Sequence, residues 1–131
     1  MPLVDIVALL ALLEFFVFAG LVGRARGKYG VNAPSVTGHE MFERAYRVQM
    51  NTLELLMLFL PSLYIAAGYW PAGYVAACGA VYVVGRIVYQ QAYMSDPARR
   101  GPGFLLSIGP CLILLIAGLV GAALAVSRGT A

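Results

Sequence analysis

The chain has 131 residues, 61% of them hydrophobic and 11% charged, with a mean hydropathy of +0.82 and a formal net charge of +3. A soluble domain carries about a quarter charged residues, and small domains expose most of what they have, so a surface this poor in charge excludes soluble, disordered and fibrous proteins. What remains is an integral membrane protein of at most about five spans of ~20 residues, with no room for a separate soluble domain.

The first apolar run extends from Leu3 to Gly23 and is broken only by Asp5 and Glu14. It lacks the basic start of a secretory leader, and other spans follow it, so it reads as a retained helix over 3–23. The segment Arg24–Phe42, with Arg24, Arg26, Lys28, Gly30, Pro34 and Gly38, reads as a polar loop. A second helix is predicted from about Glu40 or Met41 to Gly68, amphipathic in its first half and apolar in its second, with a bend expected at Pro61. Tyr69-Trp70-Pro71 makes an interfacial turn. The third helix is expected over 72–94, a short loop over Ser95–Gly103, and the fourth helix over 104–126 with Pro110 inside it. The fold class is thus an all-α, four-helix transmembrane bundle in one domain. Four helices enclose a narrow core, so a site of useful size calls for neighbouring copies of the chain.

Cations fix the orientation. Arg24, Arg26, Lys28, Arg44 and Arg47 flank the first loop and Arg99 and Arg100 lie in the third, whereas Arg128 stands at the other side. Positive residues stay inside, which puts both polar loops in the cytoplasm and both termini opposite. Without a basic domain the positive charge reads as topology and not as nucleic-acid binding. Cys78 and Cys111 sit in apolar runs as core residues, and with only His39 beside them no metal cluster is expected.

Ionisable groups inside spans are costly and mark function or pairing. Glu14, Glu54 and Arg86 lie roughly two to three turns from the loop ends of their helices, at ~3.6 residues per turn, and could share one buried polar layer. For Glu14 the plainer reading is an ion pair that locks the bundle. Arg47, Asn51 and Glu54 form one stripe of the second helix, and Arg86, Tyr89 and Tyr93 one stripe of the third. Guanidinium, amide and phenol together suit a small, charged, peptide-like ligand; an interfacial belt of Tyr and Arg is the alternative on spacing alone.

The run Glu43-Arg44-Ala45-Tyr46-Arg47-Val48-Gln49-Met50-Asn51-Thr52-Leu53-Glu54 resembles the signature of the MAPEG family of membrane glutathione transferases and eicosanoid-pathway proteins. The similarity continues through Val81-Tyr82-Val83-Val84-Gly85-Arg86-Ile87-Val88-Tyr89 and Tyr93 to Arg100. The resemblance implies a homotrimer with glutathione, as thiol co-substrate, bound between subunits near the cytoplasmic face. It would be held by Arg47, Asn51, Glu54, Arg86, Tyr89 and Tyr93, with Gln49 and Arg26 as weaker candidates. Arg100 matches the arginine beside the glutathione sulfur. The second substrate would be lipophilic and enter from the membrane lipid. Leu55 stands where the family's leukotriene synthases have tyrosine, and Gly27 follows Arg26 where they have paired arginines, which favours a general transferase. The alternative is a non-catalytic, lipid-binding scaffold of the same fold; a transporter is disfavoured because no inverted repeat is visible.

Overall fold

The computed structural model describes residues 1–129. It contains helices α1 (Pro2–Tyr29), α2 (Glu40–Tyr69), α3 (Ala72–Ser95) and α4 (Gly101–Ser127), with one 3₁₀ turn over Pro97–Arg99. Each of the four is long and apolar enough to cross a bilayer, and the chain is a multi-pass membrane protein. The outer faces agree. Leu9, Phe16, Met57, Leu105 and Leu119 all point away from the bundle, as a lipid-facing surface requires.

Helix α1 outruns the sequence expectation by more than a turn. Arg24, Arg26 and Lys28 ride on its last turns and not in a loop. Polarity does not end a helix; a backbone stop does. Gly30 supplies it in the left-handed region (φ 68°), its N–H closing onto the Arg26 carbonyl, and Val31 N–H bonds the same oxygen. Cations in that last turn also complement the carbonyl end of the helix. The loop is therefore only 30–39. His39 Nδ1 then accepts from Met41 N–H at 3.1 Å and caps α2, with Glu40 and Glu43 in the first turn. α4 likewise begins at Gly101 and not at Phe104, because Pro102 in the first turn needs no donor there. α2 runs unbroken through Pro61 and α4 through Pro110.

Helices α1 and α4 each pack on both α2 and α3. The core between them holds Val4, Ala11, Phe59, Leu63, Tyr82, Cys111 and Leu114, with the Phe59 and Tyr82 rings stacked at 3.9 Å. The α3–α4 seam is drawn tight by two glycines. A Cβ on Gly85 would stand 2.6 Å from the Leu106 carbonyl carbon, and one on Gly103 would stand 2.5 Å from Tyr89 Cα. Small residues let membrane helices approach this closely, which replaces the hydrophobic drive that lipid removes.

Candidate functional site

The loop end of the bundle collects its polar groups around Arg86. This side chain on α3 is completely buried, and Nη1 donates to Asn51 Oδ1 of α2 at 2.8 Å. Its guanidinium carbon lies 4.1 Å from the centroid of the Tyr89 ring one turn on, a cation–π contact. Tyr89 in turn tilts against Tyr93 at 5.6 Å and Phe104 of α4 at 6.4 Å. The i, i+3, i+7 spacing on α3 and the stripe on α2 thus meet through one hydrogen bond.

That cluster is under-satisfied. Arg86 Nε and Nη2 have no hydrogen-bond partner, and neither do the carboxylate oxygens of Glu14 nor the Tyr82 hydroxyl. A buried donor left unmade costs about 1–3 kcal/mol, more when charged, which marks this cluster as the candidate site.

Two expectations need correction. Glu14 forms no ion pair: among the described residues the single salt bridge joins Arg44 to Glu40. Arg86, the cation at its level, spends its directed bond on Asn51 and its face on Tyr89. Nor do Glu14, Glu54 and Arg86 make one buried layer within the chain, because Glu54 is exposed. Helical phase explains it. Thr52, Leu55, Leu56 and Phe59 face the core, and residue 54 falls on the opposite side. Arg47 is exposed on the same outer flank, with Asn51 half-buried between flank and core.

Arg47 also lines a polar recess of about 280 Å³ with Glu40, Glu43, Arg44, Tyr93 and Pro97. Arg44 frames it. Its Nη1 donates to the carbonyls of Met94 at 2.9 Å and Ser95 at 3.2 Å, and its Nη2 meets Glu40 Oε1 at 2.6 Å. In the sequence, Arg44 stands out only as a topology charge. Free carbonyls at a helix end leave no mark in the sequence, though an arginine one turn after a glutamate hints at a fixed side chain.

The remaining candidates lie apart. Arg26 Nη1 bonds Ser35 O at 2.7 Å, and its guanidinium sits 4.8 Å from the Phe42 ring centroid, bracing the first loop. Gln49 is half-buried. Arg100 is exposed at the start of α4, where Nη1 turns back to Pro97 O at 2.8 Å; Arg99 beside it is also exposed.

The MAPEG family model matches residues 4–120. The chain is 37% identical over 117 residues to human microsomal glutathione S-transferase 2, covering 89% of this chain and 80% of that one. It is 38% identical over 114 residues to leukotriene C4 synthase of Cavia porcellus, covering 86% and 76%. An uncharacterized protein of Synechocystis is 43% identical over 115 residues, covering 88% and 84%. With four long apolar helices and a match along nearly its whole length, the chain belongs to the MAPEG family.

Proposed function

We propose that this protein is a membrane glutathione transferase that conjugates glutathione to lipophilic electrophiles drawn from the bilayer. The observation that carries the reading is the Asn51–Arg86 hydrogen bond, with the spare Nε and Nη2 donors of a fully buried arginine beside it. Relatives named glutathione S-transferase and leukotriene C4 synthase support the same reading. Arg47, Asn51, Glu54, Arg86, Tyr89 and Tyr93 hold the tripeptide, with Gln49 and Arg26 at its margins.

Arg47 and Glu54 lie on the outer flank of α2. A charge facing lipid at mid-span costs about 2.5–3.5 kcal/mol or more, so this flank favours a neighbouring subunit over lipid. Glutathione then lies between copies in a homotrimer, and the recess beside Tyr93 opens toward the cytoplasm with the polar loops.

The chemistry needs a thiolate. A free thiol of pKa about 8.5 is only a few per cent ionised near neutrality. Arg100 lowers that barrier by standing near the sulfur as a fixed cation. The sulfur lone pair forms the S–C bond, and the electrophile's leaving group departs with its electron pair, or the opened π bond takes a proton. With a lipid hydroperoxide the thiolate attacks the outer oxygen and expels the lipid alkoxide. A second glutathione then completes a disulfide with loss of water.

One observation favours the non-catalytic scaffold: Arg100 has a bond within its own turn, to Pro97 O. A single experiment separates the two. Glutathione added to the purified protein in detergent should raise ultraviolet thiolate absorbance near neutral pH and sustain turnover of a lipophilic electrophile. Binding without thiolate signal or turnover would leave the scaffold, and no binding would end the glutathione reading.

A further inference from the structure

Between α1, α2 and the end of α3 lies a cleft of about 170 Å³ that the thiol site does not use. Its lining changes character along its depth. Phe18, Leu21 and Val48 make the inner end largely apolar, with Gln90 of α3 also in the lining, and Arg24 and Lys28 stand at the mouth with no carboxylate in the lining. The two cations sit one turn apart on α1 and share a face. Neither makes a hydrogen bond or ion pair among the described residues; Lys28 Nζ lies 5.4 Å from the Tyr29 ring centroid. Arg26, between them in sequence, does not line the cleft: its Nη1 bonds Ser35 O and its face lies over Phe42.

Depth gives the cleft its meaning. From Phe18 to Lys28 the helix rises about 15 Å at 1.5 Å per residue. Head groups lie outside a hydrocarbon core of about 30 Å, so a mouth at head-group level puts the base among acyl chains. The volume falls below the roughly 300–1,000 Å³ of a site for a whole drug-sized ligand, and it suits the upper part of one chain. Two unpaired cations without a carboxylate select a net negative head over a zwitterionic one, which brings its own cation.

We infer that this cleft binds an anionic phospholipid of the surrounding leaflet, its phosphate between Arg24 and Lys28 and one acyl chain along Phe18, Leu21 and Val48. The site is separate from the proposed thiol site, and its test does not read turnover.

The full-length protein is released from nanodiscs of equal phosphatidylglycerol and phosphatidylcholine and weighed by native mass spectrometry. Wild type should retain phosphatidylglycerol over phosphatidylcholine by roughly thirtyfold, the scale expected of two basic residues near anionic lipid. The double substitution Arg24→Gln with Lys28→Gln should abolish the preference, and Arg24→Lys with Lys28→Arg should keep it. Ala45→Leu, which fills the cleft and leaves both cations in place, should also lose the retained lipid. Three results overturn the inference: no preference in wild type, unchanged retention after Ala45→Leu, or selective retention of a free fatty carboxylate instead. Should the Gln pair fail to fold, the Lys/Arg exchange and Ala45→Leu still decide the matter between them.

Discussion

The seam between α3 and α4 and the mouth between α1 and α2 solve opposite problems with the same alphabet. Along the seam, Gly85 and Gly103 bring backbones so near that a single Cβ would strike Leu106 or Tyr89 main chain. At the mouth, a cleft about 170 Å³ in volume stays open beneath Arg24 and Lys28. The closed seam fixes Tyr89, and through its ring the Arg86 guanidinium, from the side away from α1. A backbone held this closely keeps ring and guanidinium in one place, which orienting a polar ligand requires, while the cleft keeps room for an occupant of its own.

The largest effect should come from breaking the wall. Gly103→Leu forces side-chain carbon against Tyr89 N and Cα, 2.5 Å from where a Cβ would begin. Overpacking costs 1–3 kcal/mol when side chains can give way; here the obstacle is backbone, and roughly 3 kcal/mol or more is expected. Thermal unfolding in detergent with size-exclusion chromatography measures it. A variant that melts like wild type would mean the seam is looser than its geometry.

Next in size is Arg100→Ala, at the loop end of the same seam. Losing a positioned charge at developing negative charge typically costs ~10²-fold in turnover. Glutathione affinity should stay within a small factor, since the proposed site assigns the carboxylates to other residues. Arg99→Ala must be assayed beside it: if Arg99→Ala fails and Arg100→Ala does not, the sulfur contact shifts by one residue. Full activity in both, and in the double variant, would remove the arginine-stabilised thiolate. Arg47→Ala acts at the polar recess beside Tyr93 instead, where one charge-assisted bond of about 1.5 kcal/mol corresponds to roughly tenfold weaker glutathione binding by calorimetry. Unchanged binding would reduce Arg47 to a topology charge.

These two regions were not equally legible. Hydropathy and turn residues gave the four spans, because the bilayer demands long apolar runs. The stripes Arg47–Asn51–Glu54 and Arg86–Tyr89–Tyr93 were legible because helical phase is local. Which stripe residue meets which was not: the Asn51–Arg86 bond depends on how α2 and α3 are packed, and Glu54 turned outward because its neighbours 52, 55, 56 and 59 claimed the core. The cleft stayed hidden for a similar reason. Arg24 and Lys28 read as loop cations until Gly30, and not their polarity, proved to end α1. The seam was the least legible part. Nothing local distinguishes Gly85 and Gly103, which meet backbone, from others among the fifteen glycines, such as Gly20 and Gly23, which meet nothing within 4 Å.

That last contrast yields the smallest expected effect and the most discriminating one. Gly23 is exposed in mid-helix on α1, with no atom near the position a Cβ would take. Glycine there leaves the unfolded backbone freer than alanine would, and its replacement should stabilise a helix interior by roughly 0.5–1 kcal/mol. Gly23→Ala should therefore melt slightly higher than wild type in detergent, the reverse of Gly103→Leu. Stabilisation follows only while that face meets lipid or detergent. If a neighbouring subunit seats its backbone on α1 there, the added methyl becomes an obstacle of the kind seen at Gly103. A loss of stability at Gly23, accompanied by a fall in apparent size in size-exclusion chromatography, would mean that the outer face of α1 is a second seam, closed between copies of the proposed trimer. A gain with the apparent size unchanged would leave the contacts of the proposed trimer to other faces, the flank that carries Arg47 and Glu54 among them.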